Sequence, residues 1–75
     1  MGMEEVVRQL QLAIHDARVA FDCIGLGEVE RARTCLVTAR AALDAAGTVL
    51  DHGLAHSPVA QVADEAAAAM AAIAD

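Results

Sequence analysis

Two stretches of this 75-residue chain carry apolar side chains at alternating spacings of three and four. The first runs Met3, Val7, Leu10, Ile14, Ala17, Phe21, Ile24. The second runs Val29, Ala32, Leu36, Ala39, Leu43, Ala46, Leu50. On an α-helix that spacing gathers each set into one stripe suited to left-handed, knobs-into-holes packing. Only Gly25-Leu26-Gly27 separates the two runs, a length that can do little but reverse the chain. The sequence therefore predicts an all-α fold built on a long antiparallel helical hairpin, with Phe21 buried between the arms against Leu36 or a near neighbour.

The chain reads as a single helical domain, 1–75. Helix 1 is expected over about 3–24, with Glu4 and Glu5 in a first turn where the helix dipole favours acids, and Glu4 four residues before Arg8. Gly25 is placed to end it as the left-handed residue. Helix 2 is expected over about 28–51, and His52-Gly53-Leu54-Ala55-His56 reads as a connector. Ser57-Pro58 then has the form of a helix start, Ser as N-cap and Pro in the first turn. An alanine-rich helix 3 follows over about 58–74, with Val59, Val62, Ala66, Met70 and Ile73 on one side. Alanine favours helix but offers little area to bury, so this helix should add modestly to stability. The whole forms a three-helix bundle, or a four-helix type on dimerisation.

A domain this small buries only about 60–65% of its unfolded surface and usually needs a disulfide framework, a metal or a partner chain. Two cysteines make no such framework. Folding about the glycines sets Cys23 near Glu30 and Cys35 near Arg18, an offset of about 7.5 Å along the axis that exceeds disulfide reach. Oligomerisation is the remaining support. Leu12, Val19 and Leu26 fall opposite the main stripe of helix 1, with Cys23 beside them. These four are the expected interface, covered by helix 3 or by a second copy in a homodimer.

Charge and composition exclude several function classes. The net charge is −6, all five basic residues are Arg, and Phe21 is the only aromatic. A nucleic-acid partner needs a basic stripe or stacking platforms, and neither is present. Residues 41–75 hold five acids and no base, so Asp64, Glu65 and Asp75 are candidate charges facing a basic protein partner. No uncharged apolar run approaches the ~18 residues of a membrane span, and the first eight residues already carry Glu4, Glu5 and Arg8. The expectation is a cytoplasmic protein, with neither nucleic acid nor membrane as partner. Arginine without lysine and abundant alanine fit a GC-rich bacterial or phage genome.

Motifs with chemistry are weak. His52 and His56 are four apart, a metal-binding spacing on continuous helix, but Gly53 between them and Pro58 after them argue for a broken connector. No Glu-x-x-His pair, phosphate loop or nucleophile elbow occurs. No metal, cofactor or catalytic residue is therefore expected. Gly27-Glu28-Val29-Glu30-Arg31-Ala32, followed by Leu36 and Ala39, resembles the turn and second helix of a tetratricopeptide repeat. The likeness covers one hairpin, and Asp16 stands where that family has a large aromatic, so the family is not assigned. The leading function is a non-enzymatic protein–protein interaction module, a small homodimeric adaptor, regulator or inhibitor of a larger protein. The alternative is a small helical bundle that binds a ligand or metal.

Overall fold

The computed structural model describes residues 2–74, in which three helices follow one another: α1 (Met3–Gly25), α2 (Val29–His56) and α3 (Val59–Ala74). Helices α1 and α2 pack along their length as the antiparallel hairpin that the spacing predicts, and α3 packs more lightly, mainly on α1. The fold is all-α, with no strand among the described residues.

The reversal uses Gly27, not Gly25. Helix α1 continues through Gly25, Leu26 keeps a right-handed conformation, and Gly27 alone takes the left-handed one with φ 76°. The Glu28 amide donates to the Cys23 carbonyl at 2.8 Å and the Gly27 amide to Ile24 at 3.1 Å. That pair of bonds is a Schellman closure, which satisfies the carbonyls a helix end would leave open. Gly25 lies two residues too early to serve.

Helix α2 is longer than the sequence predicts and runs through 52–56 to His56. A glycine inside a helix costs about 1 kcal/mol but does not break it. Gly53 also continues the seven-residue series Ala32, Ala39, Ala46, and the Met3 side chain packs there, 3.4 Å from where a Cβ would sit. The break comes at Ser57, which is extended (φ −145°, ψ 150°) as a residue before proline prefers. The Pro58 carbonyl then accepts from Gln61 and Val62 at the start of α3.

The faces of the helices differ most from expectation. On α1 the side turned to α2 carries Val6, Ala13, Ala20 and Cys23, with half-buried Gln9 and Asp16 between them. On α2 it carries Ala32, Cys35, Ala39, Ala42, Ala46 and Val49. Both series alternate three and four, so the packing mode is the expected one, but the residues are smaller. The α1 seam is rotated by one residue, about 100°, from the Leu/Ile/Phe stripe. On α2 the seam keeps Ala32, Ala39 and Ala46 but exchanges Leu36 and Leu43 for Cys35 and Ala42. Antiparallel layers then set Cys23 beside Ala32 and Ala20 beside Cys35, one packed cluster near the turn. A second cluster closes the open end, where Met3, Val6 and Val7 meet Ala46 and the α3 residues Val62 and Ala69.

Seven of the twelve buried apolar residues are alanines, and none is leucine, isoleucine or phenylalanine. Phe21, expected at the centre of the core, is 77% exposed, and Leu36 is 52% exposed. Alanine on both sides lets two helices approach to the short end of the usual 8–10 Å. Large side chains cannot enter so narrow a gap and are displaced to its flanks. The Cα radius of gyration is 14.8 Å, against about 11 Å for a compact chain of this length, and the extents are 46 × 27 × 14 Å. The molecule is thin and elongated.

Candidate functional site

The displaced side chains are not scattered. In an antiparallel pair of helices, the positions that follow the seam on one flank of each helix lie on the same side of the pair. On α1 these are Leu10, Ala17 and Ile24, extended outward by Ile14 and Phe21. On α2 they are Val29, Leu36 and Leu43. All eight are exposed. Together they form one apolar face two helices wide, running from the turn towards α3.

At its far end the face meets α3. There Val7, Leu10, Gln11, Ile14, Met70 and Ile73 line a groove of about 290 Å³ whose wall is almost wholly apolar. Helix α3 thus covers the open end of the hairpin and leaves the rest of the face bare. The opposite flank is more polar: it shows Leu12, half-buried Val19 and Leu26 on α1 and the turn, but Arg31, Thr38 and His52 on α2.

The four residues expected at an interface therefore separate. Cys23 is buried against Ala20 and Ala32 of its own hairpin and is not part of an outer surface. Leu12 and Leu26 are exposed and α3 does not cover them. Cys23 and Cys35 are free thiols in one cluster, Cys23 buried and Cys35 half-buried.

Continuous helix through Gly53 does place His52 and His56 on one face, contrary to the broken connector expected. Their rings stack with centroids 4.1 Å apart, and His56 Nδ1 lies 2.8 Å from the His52 carbonyl oxygen, to which it donates as the N–H tautomer. Both are exposed, and among the described residues no third His, Cys, Asp or Glu joins them in a metal-holding group.

No known family model, curated protein or solved structure matches this chain. What it can do has to be read from its own surface.

Charge is distributed around the apolar face. Arg33 and Arg40 border it on α2, and Arg33 lies 3.7 Å from Glu30. The other ion pairs among the described residues, Arg8–Glu5 and Arg31–Glu28, are likewise three residues apart on exposed helix. Arg8 pairs with Glu5, not with Glu4. Hydrogen bonds from Gln9 and then Arg8 hold the Glu5 carboxyl below its ordinary pKa. Asp64 and Glu65 are exposed on α3, and Glu65 shares a shallow cleft with Glu4; Asp75 lies outside the described residues. No helix of the described chain is long and apolar enough to cross a membrane.

Sequence reasoning missed the face because it assigned the same residues to the interior. Its signal was present: alanine at four of the six seam positions of α2, in step with Ala13 and Ala20 of α1.

Proposed function

We propose that this chain is a non-enzymatic protein–protein interaction module, a small homodimer that serves as an adaptor, regulator or inhibitor of a larger protein. One observation carries the reading: seven of the fourteen exposed large apolar side chains among the described residues, Leu10, Ile14, Phe21, Ile24, Val29, Leu36 and Leu43, share one continuous face outside the hairpin seam. Monomeric soluble proteins rarely expose contiguous apolar patches beyond a few hundred Å² unless the patch binds something. The fold supplies long helix surfaces on which a partner can dock. The acidic second half favours a basic surface on the larger protein, with Asp64, Glu65 and Asp75 as the charges that steer association.

A photo-cross-linking residue at Val37, exposed on the outer side of α2, tests this reading in the cell of origin. It should yield an adduct of this chain with one larger protein. The adduct should weaken when Asp64→Asn and Glu65→Gln are combined. Absence of any such adduct from positions on α2 and α3 alike refutes the adaptor role. The alternative is a bundle that binds an apolar ligand, favoured by the groove between α1 and α3. A ligand in that groove would contact Met70 and Ile73, and methyl shifts at those residues on adding fatty acid would identify it.

A further inference from the structure

We propose that the apolar face carried by Leu10, Ile14, Phe21 and Ile24 of α1 and Leu36 and Leu43 of α2 is covered by the same face of a second copy, making a four-helix core across a two-fold axis. The proposal rests on the interaction reading above but names the surface and its occupant. It moves the dimer contact away from Leu12, Val19 and Leu26.

Area is the first argument. At roughly 200 Å² for a large apolar residue, and with exposures of 39–77%, the six side chains present about 700 Å² per chain. Two copies would bury about 1,400 Å² from these residues alone, within the ~1,200–2,000 Å² of a stable specific interface. Groove residues Met70 and Ile73 would add to it.

Spacing is the second argument. Leu10, Ile14, Ala17, Phe21 and Ile24 keep the four-three alternation that a packed helix partner requires, a repeat an unpartnered surface has no reason to hold. Leu36 and Leu43 extend it across the second helix, so the face is two helices wide and a second hairpin fits it row on row. No Asp or Glu stands among these residues, although the chain carries eleven acids. A highly acidic protein can bring two such faces together without burying carboxylates, with Arg33 and Arg40 left at the exposed rim.

The third argument is the missing core. The buried set is mostly alanine, which supplies little of the burial a 75-residue domain needs. Pairing two faces gives each chain the second layer of large side chains that its own hairpin excludes. In that core Phe21 lies one helical turn from the hairpin reversal, and the alanine seams lie behind it on both sides.

Phe21 is the only Phe, Tyr or Trp, so its phenyl protons are told apart from those of the three histidines by their ¹³C shifts. The test mixes ¹³C-labelled and unlabelled wild-type chains at about 100 µM and records only transfers between the two. Intermolecular contacts from the Phe21 ring to isoleucine and leucine methyls, with a mass of two chains by sedimentation, are expected. A monomer at that concentration overturns the proposal, as does a dimer with no intermolecular contact from Phe21. Phe21→Glu and Leu12→Glu give the mutational counterpart: the first should weaken dimerisation at least 100-fold, the second less than threefold. The reverse order overturns it. A monomer that still cross-links to a larger protein refutes the second copy and leaves the adaptor reading standing. A Phe21-centred dimer that cross-links to nothing refutes the adaptor reading and leaves this one.

Discussion

Ala32→Leu should destabilise the hairpin although it adds apolar bulk. Ala32 is 1% exposed and packs against Ala20 and Cys23, where the two helices lie close together. Leucine differs little from alanine in helix propensity, so the change acts almost wholly through packing. Extra methylenes in a filled seam force shifted rotamers or separated backbones, which typically costs about 1–3 kcal/mol. A domain this size holds only about 4–11 kcal/mol in all. With a urea dependence of about 1 kcal/mol per molar, the midpoint should fall by about 1–3 M. Unfolding would be followed by far-UV circular dichroism at one fixed protein concentration. Ala41→Leu, at an exposed position of the same helix, should stay within about 0.5 kcal/mol of wild type. If Ala32→Leu is as stable as wild type or more so, the seam has room. The bulky stripe would then be the hairpin's own core.

Phe21→Ala, measured where the chain is monomeric, should cost less than about 1 kcal/mol, because a side chain 77% exposed has little burial to lose; a loss of about 3–5 kcal/mol would mark it as a core residue. Gly27→Ala should lower the melting temperature, since its φ of 76° costs an L-residue about 1–2 kcal/mol, whereas Gly25→Ala, in helical conformation with open space at Cβ, should raise it. In native protein a thiol reagent should label half-buried Cys35 well before buried Cys23. Hydrogen exchange should be fastest in α3, where only Val62 and Ala69 are buried, apart from the extreme N-terminus. The depressed pKa of Glu5 means that its ionised form favours the folded helix; that contribution is complete above the ordinary value of 4.5 and fades as pH drops through the lower folded value, so its carboxyl ¹³C titration should have a midpoint below 4.5 and shift upward in Gln9→Ala.

The hairpin and the three helices were legible in the sequence because repeated three-four spacing survives any choice of face. Which stripe turns inward was not. Val29, Leu36 and Leu43 lie beside Ala32, Ala39 and Ala46 on the same helix, and both series have the same period. Weighting by hydrophobicity selects leucine, isoleucine and phenylalanine, whereas close approach of two backbones selects alanine. A sequence does not say whether its bulky stripe is meant for its own hairpin or for another chain. The end of α2 was misplaced for a related reason. Gly53 has the appearance of a break, but its position seven residues after Ala46 marks it as one more small seam residue, and only Pro58 stops the helix. The acidic cast of the second half was read directly from composition, and its role depends on a partner that composition does not name.

The Schellman closure at Gly27 also sets an order of events for folding. Cys23 and Ala32, the first layer beyond the turn, are close in sequence, so bringing them together costs little loop entropy. Each later layer is reached from one already formed, out to Val6 and Val49 at the open end. The hairpin can therefore close like a zipper from the turn, through contacts of short effective range, and should do so in microseconds to milliseconds. Opening would run the other way and begin where α3 rests on Met3 and Val6. On that account α3 is the latch on a zipper whose teeth are alanines, and a lesion at the turn slows closing while a lesion at the latch speeds opening.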